Sequence, residues 1–133
     1  SGHIFFFFEN GKAARVALSA YQTASNRRRL TGAYSDRSPV VQFMVLTEDR
    51  EIALYSTEPR ALIVNTALMV PKTTRTTQGV NVLTMKPKYR LDHVCLVEES
   101  GIRNLARYRG RNIPAAGALV KEEDSGEEQL TLI

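Results

Sequence analysis

The feature that most constrains this chain of 133 residues is an internal repeat. When the sequence is shifted by 47 or 48 residues, the segment beginning GKAARVAL falls on PRALIVNT, and each copy continues into a basic loop, R-x-x-x-G and an apolar run. The aligned pairs are Lys12-Ala13 with Arg60-Ala61, Val16 with Val64, Arg28 with Arg75, and Gly32 with Gly79. A shorter third copy, RGRNIPAAGALV, places Gly117 in the same role with a longer arginine-to-glycine spacing. A unit of this length that holds about four strands has the dimensions of a propeller blade.

The apolar runs are short and bounded by Gly, Pro, Asn or Asp, which is typical of strands. The opening segment predicts a hairpin whose Asn10-Gly11 pair suits a type I′ turn. Further strands are predicted at 40–46, 51–56, 61–65, 79–85, 93–97, 116–120 and 130–133, and residues 102–109 are predicted as loop. The chain is therefore predicted to be all-β, with repeats at roughly 4–47, 48–94 and a shortened 95–133.

Charge is segregated along the chain, although the formal net charge is only +4. Three segments contain bases and no acids: residues 12–35, 70–90 and 101–120. The acids are concentrated at 48–51, 97–100 and 122–128. This distribution predicts a face that binds a polyanion, followed by an acidic tail.

Catalytic and metal sites are not predicted. Cys95 stands alone in an apolar run and is interpreted as a small core residue. His3 and His93 are isolated, so neither a metal cluster nor a nucleophile with its base is indicated. Because no apolar run is long enough to span a membrane, we expect a soluble cytoplasmic domain at 3–133. Ser1-Gly2 is interpreted as a tag remnant.

The repeated R-x-x-x-G element followed by a strand resembles the C-terminal domain of bacterial type IIA topoisomerase A subunits, those of DNA gyrase and topoisomerase IV. The resemblance covers nearly the entire chain. It implies a partial β-pinwheel, a propeller relative with about two to three four-stranded blades that exchange strands, and a basic rim that binds and wraps double-stranded DNA. It also implies that the parent is a bacterial, chromosome-associated enzyme that assembles as A2B2 with the ATPase B subunit. The parent enzyme is expected to use ATP and Mg on other domains or on the B subunit.

Candidate DNA contacts follow from the repeated loops, because spaced cations that neutralise phosphates release counterions. Arg28 and Arg75 are the first candidates, and Arg111 is the third copy. The remaining candidates are Arg27, Arg29, Lys12, Arg15, Lys72, Lys86, Lys88 and Arg109. Gly32, Gly79 and Gly117 are interpreted as structural glycines that permit positive φ or close backbone approach where each loop re-enters a strand.

Three alternatives stay open at the level of sequence. The glutamine-arginine-glycine-lysine box of gyrase A subunits does not occur in these residues, so gyrase and topoisomerase IV are not separated. The acidic segment EEDSGEEQLTLI is either a solvated terminus whose last residues pair as a strand, or a competitor of DNA for the basic face. A propeller-like platform that docks an acidic protein partner is the alternative function.

Overall fold

The computed structural model describes residues 2–24, 35, 37–74 and 76–126. Within them two sheets form, followed by an incomplete third unit. The first sheet contains β1 (His3–Phe8), β2 (Lys12–Ala17), β3 (Val40–Leu46), β6 (Pro71–Lys72) and β7 (Val80–Asn81). The second contains β4 (Glu51–Ser56), β5 (Arg60–Asn65), β8 (Leu91–Leu96) and β9 (Ala118–Leu119). The all-β prediction is confirmed.

The two sheets have the same layout, as the repeat predicts. Their strand orders are β3-β1-β2-β6, with β7 also on β2, and β8-β4-β5-β9. The β1–β2 hairpin recurs as β4–β5, and the register of the flanking strand shifts at the same place in each, after Phe7 and after Tyr55. The backbone bond from Glu9 N to Pro39 O (2.8 Å) likewise recurs as Thr57 N to Arg90 O (2.9 Å).

Strand exchange completes each sheet. β7 follows the second hairpin in sequence, yet it pairs with β2 of the first sheet. In the same way β9 follows β8 but pairs with β5 of the second sheet. Each of the two sheets therefore takes its last strand from a chain segment beyond its own hairpin and flanking strand.

The aromatic run divides between the two faces of the first sheet, because successive strand side chains alternate. Phe5 and Phe7 are buried between the sheets, in a cluster that includes Ile52, Leu54 and Leu62. Phe6 and Phe8 are buried on the opposite face, with Ala14 and Val16 among the residues packed beside them. At about 1.5–3 kcal/mol for each buried large apolar side chain, this inter-sheet core is a main source of stability.

Four local predictions need correction: those for the hairpin turn, for residues 102–109, and for the strands at 79–85 and at 116–120. Asn10 cannot occupy a type I′ turn, because no described residue other than glycine has a positive φ; Gly11 N donates to Phe8 O instead (2.9 Å), which places Glu9 and Asn10 at the centre of the turn. Residues 102–109, predicted as loop, contain a one-turn helix, α1 (Leu105–Tyr108). The strands predicted at 79–85 and 116–120 are shorter, each with two residues. The strand predicted at 130–133 lies outside the described residues.

Four short 3₁₀ turns complete the described chain: Leu18–Ala24, Thr66–Leu68, Val97–Glu99 and Glu122–Asp124. The first two follow β2 and β5, so they too obey the repeat. Cys95 on β8 is half-buried against the cluster of Ala53, Ile63 and Tyr108, in agreement with its interpretation as a packing residue. Burial raises the pKa of its thiol, which disfavours the reactive thiolate.

Candidate nucleic-acid interface

Two loops leave the outer edges of the two sheets in the same way, and we call residues 73–79 and 111–117 the edge loops. The first begins after β6 runs parallel to β2, with Arg15 opposite Pro71. The second begins after a parallel bridge of Arg109 with Ile63. Both then return antiparallel to the same strand, through β7 and β9. The repeat thus presents one edge loop on each consecutive blade.

A glycine ends each edge loop against a neighbouring carbonyl. Gly79 has φ +75°, and a Cβ there would lie 1.8 Å from the carbonyl oxygen of Ala13. Gly117 has φ +72°, and its Cβ would lie 2.2 Å from the carbonyl oxygen of Ala61. Positive φ and close approach both require glycine at these positions, as predicted. Gly32, the first member of the set, lies outside the described residues.

Arg111 does not occupy the position in its edge loop that Arg75 occupies in the first, although the repeat predicts that the two are equivalent. In both cases the glycine follows the parallel anchor by eight positions, Gly79 after Pro71 and Gly117 after Arg109. Arg111 therefore matches Thr73 in position, and Ile113 stands four residues before its glycine, where the second repeat has Arg75. Arg111 belongs to the same loop but lies closer to its start.

The predicted DNA contacts fall into three groups. Those with no ion pair within the described part of the chain are Lys12, Lys72, Lys88 and Arg111. Those paired with an acid are Arg15, Lys86 and Arg109. Arg27, Arg28, Arg29 and Arg75 lie outside the described residues. Of the first group, Lys88 and Arg111 are exposed, and Lys12 and Lys72 are half-buried.

Arg15 is an internal residue, with a side chain only 12% exposed. Its Nη1 donates to Asp49 Oδ1 (2.9 Å) and to the carbonyl oxygen of Thr66 (3.1 Å), and its guanidinium lies 5.2 Å from the Phe5 ring centroid. Burial, and next the positive charge of Arg15, lower the pKa of the neighbouring His3. These contacts join the first hairpin to the second, which is a structural role that its basic character did not indicate.

Two other predicted contacts are paired at the surface. Lys86 Nζ lies 3.5 Å from Glu58 Oε2, which also lies 3.2 Å from Arg60 Nε. The hydrogen bond with Arg60 is the largest cause of the lowered pKa of Glu58. Arg109 donates from Nε and Nη2 to the two carboxylate oxygens of Glu51, at 2.8 and 2.9 Å, and these bonds raise the pKa of Arg109. Glu58 and Glu51 were not predicted as part of the site, because the spacing of residues along the sequence does not show which acids on other strands or loops pair with a given base.

The start of the acidic tail is docked. Asp124 is fully buried, and its Oδ1 accepts from the backbone N–H groups of Arg103 (2.8 Å) and Asn104 (2.9 Å). Its Oδ2 accepts from the Tyr108 hydroxyl (2.8 Å), which in turn accepts from Lys121 N (3.1 Å). The backbone bond from Asn104 is the largest cause of the lowered pKa of Asp124. One of the tail's acids is therefore a structural anchor, and residues 127–133 lie outside the described part.

Within the described ranges, no group of three or more His, Cys, Asp or Glu side chains is placed to hold a metal ion. None of the helices in the described part is both long and apolar enough to span a bilayer.

Comparison with solved structures identifies the architecture. The fold of this chain resembles the structure of a DNA gyrase A C-terminal domain with a TM-score of 0.67 and 17% identity, over 93% of this chain and 46% of that one. It resembles the crystal structure of a DNA topoisomerase IV C-terminal domain with a TM-score of 0.63 and 19% identity, over 75% of this chain and 31% of that one. This chain thus spans less than half the length of either structure. No protein-family model and no curated protein matches the sequence.

Proposed function

This chain has the β-pinwheel fold of the gyrase A and topoisomerase IV C-terminal domains, and we propose that it is a non-catalytic domain that binds and wraps duplex DNA. The observation that carries the proposal is the recurrence of an edge loop at the same register on consecutive blades, each anchored by a glycine on an alanine carbonyl. Such loops recur at a fixed interval, and Lys72 and Arg111 lie at or beside their starts, which suits the repeating phosphates of a duplex.

The chemistry of the loops supports contact with the DNA backbone. Lys72 lies immediately before the first edge loop, and Arg111 begins the second. Neither has an acidic partner within the described residues, so both are available to phosphates. Thr73, Thr74 and Thr76 are exposed on the first loop and carry hydroxyls that suit phosphate oxygens. Binding of this kind depends on DNA deformability and salt rather than on base sequence.

For the parent protein we propose an ATP-dependent type IIA topoisomerase A subunit, in a bacterial cytoplasm and associated with the chromosome. In this proposal the domain guides duplex DNA for strand passage, while ATP and Mg act on other domains or on the B subunit of an A2B2 assembly. Both gyrase and topoisomerase IV remain candidates for the parent.

The test is the affinity of the chain for duplexes of increasing length at two salt concentrations. We expect affinity to rise with length and to fall steeply with salt. Lys72→Gln and Arg111→Gln should each reduce the slope of log K against log[salt] by about 0.9, the value for one phosphate contact. Arg50→Gln is the charge-matched control, because Arg50 is already paired with Glu98 and should change the slope less.

Binding that does not depend on duplex length would contradict DNA wrapping. It would favour instead the alternative function, a platform for an acidic protein partner. Equal slope changes for Arg111→Gln and Arg50→Gln would show that the edge loops have no special role, even if duplex binding survives.

A further inference from the structure

A cleft lies between the second and third repeats, beside the start of the second edge loop. Its volume is about 460 Å³, and its lining residues are Glu51, Asn65, Leu68, Ala106, Arg109, Gly110 and Arg111. Two arginines, separated only by Gly110, thus reach the same opening. Two guanidinium groups at one opening are suited to a phosphate group.

The two arginines differ in their availability. Arg111 is exposed and forms no ion pair within the described ranges. Arg109 is paired with Glu51, through two parallel hydrogen bonds from one edge of its guanidinium. A phosphate binds arginine through this same planar fork, so Glu51 and a phosphate compete for the same donors.

The fold itself does not require this pair. Glu51 begins β4 as His3 begins β1, and Arg109 takes the place in the third repeat that Pro71 takes in the second. The first sheet therefore forms the same edge with a histidine and a proline at these places. The side chains of Arg109 and Glu51 are 46% and 30% exposed, and surface pairs of this kind are weak enough for another anion to displace.

We propose that Glu51 is an internal competitor for DNA phosphate at Arg109, and that it limits the affinity of the third repeat for duplex DNA. This inference rests on the proposed function. Glu51 acts by occupying the Arg109 fork, so its effect requires Arg109. A general repulsion between the negative charge of Glu51 and the DNA would not require Arg109.

A double-mutant cycle with the 133-residue chain and a fixed duplex at low salt separates these two effects. The variants are Glu51→Gln, Arg109→Gln and the two combined. Glu48→Gln is the charge-matched control, because Glu48 is an exposed acid with no ion pair in the described part. We expect Glu51→Gln to tighten binding about two- to fivefold, the range of a weak surface pair. In the Arg109→Gln background the same substitution should tighten binding no more than Glu48→Gln does.

Equal gains from Glu51→Gln with and without Arg109 would overturn the inference while leaving duplex binding intact. A gain from Glu48→Gln as large as that from Glu51→Gln in the parent chain would also overturn it. Absence of duplex binding by the parent chain would instead refute the proposed function, and this inference with it. Circular dichroism of each variant checks that the sheets are retained.

Discussion

At the scale of single residues, similar side chains have different roles that depend on their contacts. Arg15 lies on β2 of the first hairpin and Arg111 begins the second edge loop. The Arg15 side chain is largely buried and donates to Asp49 and to the carbonyl oxygen of Thr66, whereas Arg111 is exposed. Gly79 and Gly117 are the residues whose identity follows most directly from geometry, because each has a positive φ and faces a carbonyl oxygen.

Gly79→Ala and Gly117→Ala should therefore each destabilise the protein. Left-handed backbone costs about 1–2 kcal/mol for a residue with a Cβ, and the approach to the alanine carbonyl adds to that cost. We expect a loss of at least ~2 kcal/mol in the free energy of unfolding, measured by urea denaturation. Gly110→Ala is the control, because Gly110 has no positive φ and its Cβ would approach a side-chain methyl group of Leu62 at 2.9 Å, with Ala115 Cβ and Asn112 O at an ordinary 3.6 Å. Losses from Gly79→Ala and Gly117→Ala no larger than from Gly110→Ala would contradict the assigned role.

At the scale of elements, Asp124 connects the final 3₁₀ turn to α1. A helix of four residues has little stability of its own, so its position depends on such tertiary bonds. The carboxylate accepts from the backbone N–H groups of Arg103 and Asn104, immediately before α1, and from the hydroxyl of Tyr108 on it. Tyr108→Phe removes that hydroxyl and should cost about 1–3 kcal/mol of unfolding free energy.

The Asp124 anchor should also give a defined pH dependence. Because the folded state lowers the pKa of Asp124 below its ordinary value of 3.8, the ionised form is favoured in the folded state. Its contribution to stability is therefore present above pH 3.8 and is lost as the pH falls through the folded-state pKa. Thermal unfolding between pH 7 and pH 3 should show a gap between the parent and Asp124→Asn that narrows at the acidic end. Glu123→Gln, at an exposed neighbour, should show no comparable gap at pH 7.

At the scale of the whole molecule, strand exchange and the shared core join the two sheets. β7 completes the first sheet although it follows the second hairpin, and Phe5 and Phe7 pack with Ile52 and Leu54. We expect the sheets to unfold as one cooperative unit.

Hydrogen exchange in the Gly117→Ala variant tests this cooperativity. The substitution acts on the second sheet, at the return of the edge loop to β5. If the sheets open together, exchange of the slowest amides in β1 and β2 should accelerate by the same factor as in β5. Unchanged protection in β1 and β2 would indicate that the blades unfold independently.

The repeat, the all-β class and most long strands could be predicted from the sequence, because they depend on local alternation and spacing. The bounds predicted for β3 and β4 agree with the structure. The weak predictions concern segments whose conformation depends on distant partners, such as α1 and the two-residue strands β7 and β9.

The sequence by itself determined the blade-sized repeat, the segregation of charge and the need for glycine at 79 and 117. Those properties follow from patterns along the chain and from the steric limits of each residue. Only the tertiary structure decided which cations are available, because Asp49, Glu51 and Glu58 reach Arg15, Arg109 and Lys86 from other strands or loops. The sequence shows which residues are charged, but whether a base is neutralised by an acid depends on distances of a few ångströms that only folding sets.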